Sequence, residues 1–92
     1  MAHVAVIRMP RRFDYSGGAE FNRKVSAALD TPGVINLDCV DLEYIDSAGI
    51  GLLVMSQKKA QSCDSKIVMT NLKVSPKEIL HLANLQKVIE LA

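Results

Sequence analysis

The chain has 92 residues, 49% of them hydrophobic and 23% charged, the composition of a folded soluble domain and not of a disordered chain. A chain of this size buries only roughly 60–65% of the surface it exposes when unfolded, so one domain over residues 1–92 with one modest core is expected. Eleven Lys and Arg against ten Asp and Glu leave a net charge of +1, with two Phe, two Tyr and no Trp; that balance speaks against nucleic acid as a partner, which selects for a basic face and stacking aromatics.

His3 to Arg8 alternate around Val4, Val6 and Ile7 and are expected to form a first strand that Pro10 ends. From Ser16 to Leu29 the apolar residues Phe21, Val25, Ala28 and Leu29 recur at helical spacing, and Glu20 and Lys24 form an i,i+4 pair on another face, which predicts a first helix. Thr31-Pro32-Gly33 is a turn, and Val34 to Cys39 reads as a second strand with Ile35, Leu37 and Cys39 on one face. Val40 to Ile45 lead into a second helix that starts near Asp46 or Ser47 and runs to about Ser62. Ile50 to Met55 is apolar all round and by itself fits a buried strand as well, but the length and the polar tail Gln57-Lys58-Lys59 favour a helix.

Lys66 to Thr70 gives a third strand. A third helix is expected with Ser75 as N-cap, Pro76 at the first helical position, Glu78 closing a capping box and Val74 and Ile79 as a hydrophobic staple, ending at Asn84, which tolerates the left-handed conformation. Val88 to Leu91 is a short last strand. Strand and helix alternating in this way predict an α/β domain with about four strands in a largely parallel or mixed sheet and three helices packed on it. Binding sites in such folds gather in the loops after the carboxyl ends of strands, where Asp46 and Ser47 lie.

The segment Asp46-Ser47-Ala48-Gly49-Ile50-Gly51 carries the functional signal. Either Asp46 or Ser47 caps the helix by accepting hydrogen bonds from free backbone N–H groups, and capping by itself would explain both. It does not explain Gly49 and Gly51, each of which costs about 0.5–1 kcal/mol relative to Ala within a helix. Small residues there let another backbone or a protein surface approach. The positive end of a helix also favours an anion, so a phosphate on Ser47 can be held by the backbone without unfolding the helix.

The stretch from Val34 to Gly51 resembles the central signature of STAS domains, a hydrophobic strand followed by an Asp-Ser-small-Gly-aliphatic-Gly helix start, and it is most similar to the anti-sigma factor antagonists. Phe13-Asp14 matches the family's aliphatic-Asp pair before its first helix, and Val74-Ser75-Pro76 with Leu80 and Leu85 matches the segment around its third. Arg11 departs from the pattern, standing where the family has glycine. The resemblance implies a single STAS-like fold with Ser47 as phosphoacceptor and a partner surface at Asp14, Asp46, Ser47, Ala48, Gly49 and Ile50. It further implies a switch that binds an anti-sigma factor or serine kinase of the partner-switching type and is reset by a PP2C-type phosphatase. The alternative within the family is a subunit that regulates a membrane transporter.

A serine hydrolase is the competing class. Its nucleophile would need a nearby base, the only histidines are His3 and His81, and the Gly-x-Ser-x-Gly elbow is absent because Ile45 and Asp46 precede Ser47. A lone Gly49-Ile50-Gly51 is a weak nucleotide signal. No catalytic residue, metal site or cofactor is expected. Cys39 and Cys63 lack ligand spacing and read as reduced thiols. The longest apolar run, Ala48 to Met55, is too short to span a bilayer and Met1-Ala2-His3 lacks the features of a signal peptide, which points to a cytoplasmic protein without direct membrane insertion.

Overall fold

A computed structural model describes residues 3–92. Met1 and Ala2, which the sequence reading included in the domain, lie outside the described residues. The elements are β1 (His3–Arg8), β2 (Arg12–Phe13), α1 (Gly18–Ala28), β3 (Gly33–Asp38), β4 (Tyr44–Ile45), α2 (Ser47–Ser62), β5 (Lys66–Thr70), α3 (Val74–Leu82) and β6 (Glu90–Leu91), with 3-10 turns at Tyr15–Gly17 and Leu85–Lys87.

Four strands form one sheet in the order β1-β3-β5-β6, every neighbouring pair parallel. Each connection therefore crosses over through a helix, and right-handed crossovers that always step the same way put all the helices on one face. That face carries Ile7, Ile35, Leu37, Ile67 and Met69, all buried with Phe21 and Val25 of α1, Leu53 of α2 and Leu80 of α3 in one continuous core. The opposite face of the sheet is open at the edge strand: Val4 and Val6 are 57% and 63% exposed. Gly33 pairs with His3 where β3 begins, and a Cβ there would lie 2.0 Å from the His3 carbonyl oxygen, so no side chain fits.

The three main strands fall where the hydrophobic pattern places them, and so do two of the helices. Three details differ. The first helix opens with a 3-10 turn, because the Asp14 side chain accepts from Ser16 N and tightens the chain before α1 starts. The third helix begins at Val74, two residues before the expected first position Pro76. Lys73 is its N-cap, Lys77 N donates to Lys73 O at 3.0 Å, and no side chain caps it. Pro76 is tolerated at the third helical position because the N–H it lacks is one that the first turn leaves unpaired anyway. The capping box of Ser75 and Glu78 is therefore not formed, and Val74, 74% exposed, staples nothing. At the far end Asn84 does adopt the left-handed conformation, with φ 60°. The last strand is shorter than Val88 to Leu91, since Val88 closes the 3-10 turn and Ile89 is buried before pairing begins at Glu90. Among the described residues no helix is long and apolar enough to cross a membrane.

Candidate functional site

The site is organised by two strands of two residues each, which hydropathy alone does not reveal. β2 pairs with β4 in parallel, Arg12 opposite Tyr44 and Phe13 opposite Ile45. Phe13 and Ile45 are buried, while the Arg12 guanidinium lies 4.4 Å over the exposed Tyr44 ring, a cation–π contact. The Arg11 carbonyl accepts from both Glu43 N and Tyr44 N, at 2.8 and 3.1 Å, and the Arg11 side chain pairs with Glu43. Arg11 is not among the described non-glycine residues with positive φ, so its backbone makes no demand for the family's glycine.

This register brings Asp14 and Asp46, the residues that follow the two strands, side by side. Each caps what comes next. Asp14 Oδ1 accepts from Ser16 N at 3.0 Å and from the Ser16 hydroxyl at 2.6 Å, and its Oδ2 accepts from Arg12 Nε at 3.0 Å. The Ser16 hydroxyl first, and then Arg12, hold the Asp14 carboxyl below the usual carboxylate range. Asp46 Oδ1 accepts from Gly49 N at 2.9 Å, so Asp46 is the cap of α2 and Ser47 its first helical residue. The hydroxyl of Ser47 is free of that duty, and Ser47 and Ala48 are exposed.

Gly49 is buried, and a Cβ on it would stand 2.6 Å from the Phe13 carbonyl oxygen. Its missing side chain lets the first turn of α2 press against β2. Ile50 is half-buried against the core. Asp14, Asp46, Ser47, Ala48, Gly49 and Ile50 thus come together around the starts of α1 and α2, and within that group Ser47 and Ala48 present the outer surface. The two adjacent helix starts direct unpaired N–H groups and partial positive charge to one place. Arg12, Ser16 and Tyr44 belong to the same surface. Sequence reasoning missed them because Arg12 and Tyr44 are 32 positions apart and only the β2–β4 pairing joins them.

His81 lies on the outer face of α3 beside Val74, Lys77, Glu78 and Leu82. Cys39 is buried, and that burial pushes its thiol up to about 12. Among the described residues no group of three or more His, Cys, Asp or Glu is placed to hold a metal ion.

The site thus sits on an α/β layer with its helices on one face and an Asp-Ser turn opening the second helix. A sequence profile described as "Mlab, STAS domain" matches residues 2–91, and the chain belongs to the STAS domain family. Among solved structures it is similar to TM1081 from Thermotoga maritima, with a TM-score of 0.83 at 21% identity over 97% of this chain and 73% of that one. It is also similar to the anti-sigma factor antagonist SpoIIAA in its unphosphorylated form, with a TM-score of 0.80 at 18% identity over 100% of this chain and 82% of that one. The phosphorylated form of SpoIIAA, a cell fate determinant of Bacillus, matches with a TM-score of 0.71 at 18% identity over 100% and 85% of the two chains. At these identities the likeness establishes the fold.

Proposed function

We propose that this chain is a non-enzymatic cytoplasmic switch that binds an anti-sigma factor or serine kinase of the partner-switching type and is turned off by phosphorylation of Ser47. The observation that carries the reading is the division of labour at the start of α2: Asp46 supplies the cap and Ser47 stands exposed beside it, free to be modified. The likeness of fold to SpoIIAA, an anti-sigma factor antagonist solved in both phosphorylated and unphosphorylated forms, supports it. The contact surface comprises Asp14, Asp46, Ser47, Ala48 and Ile50, with Gly49 shaping the turn from below.

The kinase moves the γ-phosphoryl group of a nucleoside triphosphate onto Ser47 Oγ, releasing the hydroxyl proton and the diphosphate. A phosphatase of the PP2C type hydrolyses the ester and returns the free serine. The phosphate adds about −1.5 to −2 charge next to Asp46 and Asp14. The helix N-terminus stabilises it within the free protein, so the fold survives, whereas a partner closing over Ser47 would have to desolvate it. An uncompensated buried charge of that kind costs on the order of 2–5 kcal/mol, roughly 30-fold to several thousand-fold in affinity.

The test compares affinity for the captured partner among wild type, Ser47→Ala and Ser47→Asp. Ser47→Ala is expected to bind within a few-fold of wild type and Ser47→Asp at least about 30-fold more weakly. Equal affinities for all three sink the proposal, and capture of a membrane transport complex irrespective of residue 47 would favour the transporter-regulating alternative.

A further inference from the structure

The two glycines of the Asp-Ser-Ala-Gly-Ile-Gly segment have different surroundings. A Cβ on Gly49 would meet the Phe13 carbonyl at 2.6 Å, but a Cβ on Gly51 would meet nothing within 4 Å. Among the described residues nothing requires glycine at position 51, where alanine would favour the helix. What Gly51 faces is a surface groove of about 500 Å³ between α1 and α2, bordered by Tyr15, Ala19 and Asn22 on one side and Gly51, Leu52 and Met55 on the other.

The groove has a direction. A Cβ on Gly18, at the start of α1, would lie 3.2 Å from Leu52 Cδ1, and near the other end Lys59 Nζ donates to Ser26 Oγ at 2.6 Å. The helices therefore run side by side the same way, and the groove leads from the Ser47 end toward the contact between Lys59 and Ser26. Its rims carry large apolar side chains left in water, Tyr15 at 86% and Met55 at 70% exposure. Its far end is cationic: Arg23 follows Ala19 by one helical turn, and Lys58 and Lys59 follow Met55 by one. α2 contains no acidic residue, and the single acid of α1, Glu20, lies 3.8 Å from Arg23 and 3.6 Å from Lys24.

We propose that the α1–α2 groove is the seat of an amphipathic, acidic helix of the partner protein. Its apolar stripe lies between Tyr15 and Met55, its backbone comes close over Gly51 and Ala19, and its acidic residues meet Arg23, Lys58 and Lys59. A helix in a groove of this kind is read as apolar anchors one turn apart flanked by complementary charge. This rests on the switch reading above and extends it: the helix ends beside Ser47, so a phosphate there blocks the mouth of the groove.

The experiment places a photoreactive benzoylphenylalanine in the full chain at Asn22, at Met55 and, as a control, at Leu82 on α3, and maps the adducts formed in cells by peptide sequencing. Positions 22 and 55 are expected to mark the same acidic helical segment of a protein other than this one, and Leu82 is not. Gly51→Leu is expected to cut those adducts at least tenfold while leaving the melting temperature unchanged or higher, a combination that a merely structural glycine would not give. The groove proposal is overturned by adducts only to a second copy of this chain, by adducts to a basic or extended segment, by no adducts at either position, or by yields indifferent to Gly51→Leu. Ser47→Asp separates the two proposals. If it removes the adducts while Gly51→Leu does not, the switch stands and the groove falls; if adducts need Gly51 but ignore Ser47→Asp, the groove stands and the switch falls.

Discussion

Gly49 and Gly51 look alike in the sequence and are opposites in space. Gly49 is buried and has to be glycine because β2 runs directly beneath it, with the Phe13 carbonyl where a methyl group would go. Gly49→Ala must push either β2 or the first turn of α2 aside, and overpacking of that kind costs about 1–3 kcal/mol. Urea unfolding of Gly49→Ala beside Gly51→Ala is expected to show a lower midpoint for the first and an equal or higher one for the second. The carboxylates divide in the same way. Both Asp14 and Asp46 are caps, but Asp14 also holds the Ser16 hydroxyl and Arg12, and so ties the surface together across the two helix starts.

The elements show where local rules were sufficient. α2 begins at Ser47 after an Asp46 cap and ends at Ser62, because the cap, the apolar face and the polar tail all agree. α3 had the fuller set of start signals and yet does not use them: Lys73 precedes its first turn and Ser75 lies inside it. Local capping chemistry was overridden by the approach of the chain from β5, since Leu72 packs on the core and α3 continues from there. Equilibrium unfolding should register the contrast. Asp46→Ala removes a cap that is made and is expected to cost about 1 kcal/mol. Ser75→Ala removes none and should stay within about 0.5 kcal/mol of wild type; a loss from Ser75→Ala matching that from Asp46→Ala would contradict the helix start described above.

At the scale of the molecule, three helices cover one face of a four-stranded parallel sheet, and the core lies between them. Cys39 sits inside that core at the end of β3, its thiol held protonated by burial, whereas Cys63 is half-buried where α2 ends. The thiolate is the reactive form, so the two cysteines report different motions. With a thiol-specific reagent at neutral pH, Cys63 is expected to react promptly and Cys39 only at the rate of global unfolding, accelerating together with loss of the circular dichroism signal in urea. Equal, fast labelling of both in native buffer would show that the core is not closed over Cys39.

The alternation of strands and helices and the Asp-Ser start of α2 were legible in the sequence, because hydrophobic period and helix capping act between residues a few positions apart. The family signature from Val34 to Gly51 is local for the same reason. The tertiary structure alone decided the rest. It set Arg12 on Tyr44 through the two-residue β2–β4 pairing, put Asp14 beside Asp46, made Gly49 a packing necessity and left Gly51 open to a groove. Each of these depends on segments some thirty positions apart meeting at a given register, and no spacing within either segment encodes where the other will lie.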